Sequence, residues 1–140
     1  MRRSRRDAGL LLLFLVLILA LAAGLRFVEL GAQSLWADEG NSAALATRSF
    51  AQISQDAAND IHPPLYYWLL RIWAQAFGHS EIALRSLSAV TGVLLILAVA
   101  ELGRLLFNDA VGIGAGFIAA LSPFQVYYSQ EARMYILVAL

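Results

Sequence analysis

The stretch that most constrains this chain is Leu10 to Gly24, which is leucine-rich and carries no charge. With its shoulders, about Ala8 to Phe27, it reaches the roughly 20 apolar residues needed to cross a hydrocarbon core as a helix. Only a helix or a closed barrel satisfies its backbone there, and a leucine-rich run without alternation reads as helix. Composition agrees: of 140 residues, 60% are hydrophobic and 14% charged, and mean hydropathy is +0.67. Soluble domains carry about a quarter charged residues. The expected fold class is therefore an all-α integral membrane protein. A secretory signal peptide is the rival reading, with Ala20-Leu21-Ala22 as a small-x-small cleavage site. The run is long for such a signal and more apolar segments follow, which favours an uncleaved anchor. Ser4-Arg5-Arg6 hints at a twin-arginine signal, but Asp7-Ala8-Gly9 continues it poorly.

Charge distribution supplies orientation. Arg2, Arg3, Arg5 and Arg6 crowd the start, while from Glu29 to Glu81 six acids face only Arg48 and Arg71. By the positive-inside rule the N-terminus is cytoplasmic, in a multi-pass protein of the cell (inner) membrane, and residues 28–84 form an outer loop. The chain has no cysteine, so disulfides and thiolate metal sites are excluded. With a formal net charge of zero, no nucleic-acid partner is expected.

Within the loop, Asn41 to Phe50 favours helix, with Asp38 in position to cap it. Gln52 to Asp60 reads as loop or helix fragment. Prolines 63 and 64 suit a helix start, and the segment 64–77 is apolar and aromatic. Its length, at 1.5 Å per residue, covers about 21 Å and falls short of a core of about 30 Å. Tyr66, Tyr67, Trp68 and Trp73 settle at membrane–water boundaries, so this helix is expected to lie at the outer interface. Further spans are expected over about 85–107 and 110–128, joined by a tight turn at Asn108-Asp109. Gly112 and Gly116 present a small-residue face for close helix approach; frequent glycine in such helices is the equal alternative. The apolar residues 132–140 read as the start of another span and the whole as the N-terminal piece of something longer. With an interfacial 64–77 segment, the stretch 127–135 returns to the side holding Asp38.

Three polar clusters then share one face: Trp36/Asp38/Glu39, Asp60/His62, and Gln130/Glu131/Arg133, with Arg85 opening the second span beside them. Taken singly, each has an ordinary explanation: a solvated surface pair, a loop histidine, arginines snorkelling to headgroups. The ordered set is more specific. The Asp38-Glu39 pair is followed by His62-Pro63-Pro64-Leu65, then Phe77-Gly78 with Glu81 and Arg85-Ser86-Leu87-Ser88. Leu102-Gly103-Arg104, Leu106-Phe107, and Ser122-Pro123 leading to Tyr128-Ser129-Gln130-Glu131-Ala132-Arg133-Met134-Tyr135 complete it. In this set the chain resembles polyprenyl-phosphate-dependent glycosyltransferases of the GT-C fold, nearest to the protein O-mannosyltransferases and lipid A aminoarabinose transferases.

The resemblance implies a catalytic or acceptor-orienting carboxylate at Asp38, with Glu39 in the same motif. It implies substrate contacts from His62, Arg85, Glu131, Arg133 and Tyr66. The aminoarabinose branch has a phosphate-contacting lysine where this chain has His62, and a metal-binding glutamate where it has Ile61. No metal site of that kind is expected; no cofactor is assigned, and a divalent metal stays an open option. The implied partners are a polyprenyl-phosphate-sugar donor, a glycan, lipid or protein acceptor, and the membrane. A carboxylate takes the proton of an attacking hydroxyl, and an arginine offsets charge on the departing phosphate. The isolated 140 residues are expected to be inactive. The reading from another class is a non-catalytic transporter or lipid-binding scaffold fragment.

Overall fold

The computed structural model describes residues 5–59 and 62–140. Arg2, Arg3, Asp60 and Ile61, used in the reading of the sequence, lie outside the described residues. Every regular element among the described residues is helical: α1 (Arg5–Phe27), α2 (Ala37–Ala46), α3 (Phe50–Ala58), α4 (Leu65–Phe77), α5 (Glu81–Leu106), α6 (Asp109–Leu121), α7 (Pro123–Ser129) and α8 (Tyr135–Ala139).

Among the described residues two helices are long and apolar enough to cross a membrane, α1 from Asp7 and α5. The third apolar stretch is not straight. It breaks at Ser122 into α6 and α7, which meet at a bend of 63°. Pro123 is the physical cause, because it has no N–H for the α6 ladder and begins α7 at its first position. The stretch 110–128 is thus a broken pair, where the sequence pattern suggested one continuous span.

α5 begins at Glu81, four residues before its expected start, because Ser80 caps it: the Ser80 hydroxyl accepts from the Ala83 N–H at 3.2 Å. Arg85 therefore sits one turn inside the helix. Gly78, at φ +93°, ends α4 in a conformation that L side chains rarely adopt. Asn108 caps α6 through its side chain. Antiparallel α5 and α6 approach closely along glycines. A Cβ on Gly112 would lie 2.5 Å from the Ala100 carbonyl, and one on Gly103 would lie 2.9 Å from the Gly112 Cα. The small-residue face is a packing surface here, and the close-approach reading of Gly112 and Gly116 stands.

There are two cores. One joins the long helices through Ile18 and Ala22 of α1, Ile96 of α5, and Ala119 and Ala120 of α6. The other lies beneath the shorter helices and gathers Ile53, Tyr66, Tyr67, Leu70, Leu84 and Ala132. α4 is tied to α5 by Trp73, whose indole N–H donates to the Ala83 carbonyl at 3.0 Å and the Ser86 hydroxyl at 2.9 Å. The short helices α2, α3 and α4 thus sit where α1 ends and α5 begins, and everything chemical lies at that end.

Candidate functional site at the loop end

α2 starts earlier than its composition suggests. Trp36 is its N-cap, so Asp38 and Glu39 both stand in the first turn. Asp38 is not the cap. Glu39 performs half of a capping box instead, accepting from the Trp36 N–H at 3.4 Å. Two neighbours on a helix point about 100° apart, and this single fact sends the two carboxylates into different surroundings.

Glu39 points inward and is fully buried, at 0% exposure. Its Oε1 accepts from Arg85 Nε and from the Ala132 N–H, both at 2.8 Å. Its Oε2 accepts from Arg85 Nη2 at 2.6 Å as well as from Trp36. A carboxylate offers about four acceptor directions, and all four are occupied. Burial pushes the Glu39 carboxyl upward, but the Arg85 guanidinium and the Ala132 and Trp36 N–H groups outweigh it and hold the carboxyl below its ordinary value of 4.5.

Arg85 is equally committed. Besides the two bonds to Glu39, it donates to the carbonyls of Leu30 at 3.0 Å, Gln33 at 2.7 Å and Ser34 at 3.2 Å. A guanidinium has five N–H donors, so no donor is left over for a phosphate. The phosphate contact expected at Arg85 has no group to make it in this structure. Arg85 clamps the 30–34 loop and α2 onto α5, and its acid partner is Glu39, not the nearby Glu81.

Asp38 lies on the open side. Its side chain keeps 43% exposure, and its Oδ2 is 3.5 Å from Arg133 Nη2. Arg133 is nearly buried, at 6%. It donates to the Asp38 carbonyl at 3.4 Å and to the Tyr135 hydroxyl at 3.1 Å, and its guanidinium lies 5.3 Å from the Tyr135 ring centre. Its Nε has no partner among the described residues. Arg133 thus makes fewer hydrogen bonds than Arg85, and its unpartnered Nε is itself buried.

Tyr66 is set differently from the expectation of a substrate contact. It is packed inside the lower core and its hydroxyl shares a 3.2 Å hydrogen bond with Ser88. Burial pushes its phenol well above the ordinary value. Ser88 in turn donates to the Arg133 carbonyl at 3.3 Å, so Tyr66 supports the Arg133 backbone from beneath. His62 is half-buried just before α4.

A cavity of about 510 Å³ opens beside the Glu39–Arg85 pair. Glu29, Gln33, Trp36, Tyr127, Gln130 and Glu131 contribute to its wall, and Asp38, His62, Tyr66 and Arg133 do not. Its size falls in the range of small-molecule sites. Glu131 is 7% exposed and hydrogen-bonds the Tyr127 phenol. Gln130 fixes the rim by donating to the carbonyls of Leu25 and Val28, both at 3.1 Å. Carboxylate, amide and exposed aromatic groups together can meet the hydroxyls and faces of a sugar ring. Among the described residues no group of three or more His, Asp or Glu side chains forms a metal cage.

Sequence reasoning missed the parts played by Ser88, Ala132 and Arg26. The first two act through backbone or hydroxyl bonds that have no sequence signature. Arg26, in the last turn of an apolar helix, has the sequence position of an ordinary snorkelling arginine, and only its burial sets it apart.

The sequence model of one family, described as dolichyl-phosphate-mannose-protein mannosyltransferase, matches residues 61–140, more than half of the chain. That stretch includes Arg85, Glu131 and Arg133; Asp38 and Glu39 precede it and join it through the hydrogen bonds above. No curated protein and no solved structure matches the chain.

Proposed function

From the premise that this chain belongs to the dolichyl-phosphate-mannose-protein mannosyltransferase family, an all-α membrane glycosyltransferase of GT-C type, we propose its reaction and the side on which it acts. It transfers a sugar from a polyprenyl-phosphate donor to an acceptor hydroxyl on the outer face, and Asp38 activates that hydroxyl. The observation that carries this is the unequal treatment of two adjacent carboxylates. Glu39 is buried and fully bonded, while Asp38 is open, with its oxygens free to accept and an arginine alongside. Paired carboxylates in contrasting environments take contrasting roles.

The step follows. The acceptor hydroxyl gives its proton to the Asp38 carboxylate as its oxygen bonds to the anomeric carbon. The bond from that carbon to the phosphate oxygen breaks, and the phosphate leaves with the electron pair. Attack from the opposite side inverts the anomeric centre. Arg133, whose guanidinium stands 3.5 Å from the Asp38 carboxylate, is the cation that offsets the developing phosphate charge. We assign the sugar to the cavity walled by Trp36, Glu39, Tyr127 and Glu131; Asp38 and Arg133 stand outside that wall, Asp38 one residue from its Glu39. α4, which carries Tyr66, Tyr67, Trp68 and Trp73 and packs against α2 and α5, keeps the lipid headgroup at this depth.

The test is Asp38→Asn in the full-length protein, in proteoliposomes supplied with donor lipid and candidate acceptors. Turnover should fall on the order of a hundredfold or more, as for loss of a general base. The fold should survive, since the side chain is half open and makes no bond that holds a helix. Undiminished turnover would refute the assignment.

A further inference from the structure

Arg26 is the most deeply buried cation of the described residues, at 0% exposure in the last turn of α1. No carboxylate pairs with it among them. Such a charge inside an apolar bundle needs compensation, and its partners are unusual. Nε donates to the Ser129 hydroxyl at 3.2 Å, and Nη1 donates to the carbonyls of Ala22 at 3.2 Å and Ala120 at 3.3 Å. Ala22 lies in the C-terminal part of α1, and Ala120 in the final turn of α6.

Each helix C-terminus carries roughly half a negative charge. Two such ends converge on Arg26, and together they approximate the missing counterion. The Ala120 carbonyl is available because of Pro123. In an unbroken helix it would accept from the Phe124 N–H, but the chain turns by 63° at that point. α5 is cut back to make room: a Cβ on Gly92 would lie 2.2 Å from Ser129 Oγ and 2.8 Å from Arg26 Nε.

Downstream of Ser129 come Glu131, Ala132 and Arg133, whose side chains or N–H groups meet the cavity, Glu39 and Asp38. We propose that Arg26 is a positioning residue for the transfer reaction. It staples the α6–α7 break to the end of α1 and so sets the 131–133 stretch against the two acids of α2. The role in transfer rests on the function proposed above; the staple itself does not.

The experiment uses the full-length protein, whose residues 1–140 hold no cysteine, with any other cysteine replaced and spin labels at Gly40→Cys on α2 and Phe124→Cys on α7, both exposed positions. Arg26→Gln should shift and broaden the distance between the labels. It should also lower kcat by about a hundredfold, the range for a misplaced reacting group, with the KM for donor lipid within about threefold. Adding Pro123→Ala supplies an N–H and lets the helix continue past Ala120. That double variant should recover folded yield lost in Arg26→Gln, yet keep the altered distance and the low kcat. A simple stabilising role would instead let turnover return with yield. Arg26→Lys retains the charge at the helix ends but not the planar fork, and should restore yield with only part of the turnover. An unchanged label distance in Arg26→Gln overturns the staple. A changed distance with unchanged turnover per folded molecule overturns the role in transfer. Full activity of Asp38→Asn alongside a changed distance would sink the catalytic reading of Asp38 and leave the staple standing.

Discussion

Glu39→Gln is the perturbation that most sharply separates a structural brace from a catalytic acid. The substitution preserves shape and removes the charge. Oε1 faces Arg85 Nε and the Ala132 N–H, and Oε2 faces Arg85 Nη2 and the Trp36 N–H. Whichever way the amide turns, its NH₂ end meets two donors. Two hydrogen bonds are lost and Arg85, with a side-chain exposure of 7%, is left without its counterion. Breaking a buried pair from one side costs about 3–5 kcal/mol, against a total stability of roughly 5–15 kcal/mol for a folded domain. Unfolding in detergent micelles, followed by the fluorescence of Trp36, Trp68 and Trp73, should show a loss of that size. Glu39→Gln combined with Arg85→Met removes the uncompensated charge and should recover part of the loss, giving a coupling of on the order of 1–3 kcal/mol. The pH dependence has a defined sign. Glu39 has a lowered carboxyl in the folded chain, so its contribution is complete above the ordinary value of 4.5 and disappears as pH falls below it through the depressed folded value. Glu39→Gln should therefore flatten the acid limb of the stability curve below about pH 4.5 and leave the neutral range parallel to wild type. Wild-type unfolding by Glu39→Gln, or a double variant no better than the single one, would refute the brace.

Gly112→Ala should destabilise by about 1–3 kcal/mol, the range for overpacking, because the new Cβ meets the Ala100 carbonyl and the Arg104 backbone N at 2.5 and 2.8 Å; Gly114→Ala, with nothing within 4 Å, is the matched control. For orientation, single cysteines replacing Gly40, His79 and Phe107 are informative, since all three positions are exposed. The first two should react with an impermeant thiol reagent from outside and the third only from inside; protection of position 79 alongside labelling of 40 would mean that α4 crosses the membrane and would divide the site.

The long elements were legible because each rests on local chemistry. α1 and α5 follow from uninterrupted apolar runs, and α4 ends at Gly78, where the sequence places a terminator. The errors arose where a distant partner decided the outcome. Asp38 looks like a cap by composition, but the first turn of α2 is fixed by Glu39 reaching Arg85 across 46 residues. Ser122-Pro123 was visible as a motif; that the third apolar stretch bends there by 63° and that Arg26, 94 residues away, takes up the Ala120 carbonyl were not. Arginines near helix ends ordinarily snorkel, and by spacing alone Arg26 and Arg85 are indistinguishable from that ordinary case. What sets them apart is burial, and burial is a property of the packed bundle. Tyr66 shows the converse. Its aromatic character suits a membrane boundary, whereas its position on α4 turns it into the lower core toward Ser88.

The acids and arginines of the site form two pairs with unequal bonding, and that inequality decides how variants should be read. Glu39–Arg85 is saturated: four bonds on the carboxylate, five donors used on the guanidinium. Asp38–Arg133 is a single longer contact at 3.5 Å, with the Asp38 side chain 43% exposed. The loose pair is placed by the tight one, because Asp38 and Glu39 share a helical turn, and Arg133 follows the residue whose N–H binds Glu39. Loss of turnover after mutating either acid therefore cannot distinguish them. Their separation comes from crossing two measurements: Asp38→Asn should abolish turnover at wild-type stability, and Glu39→Gln should lower both, with turnover per folded molecule falling less than the folded fraction. If Glu39→Gln instead abolishes turnover at wild-type stability, the division of roles between the two adjacent carboxylates is reversed.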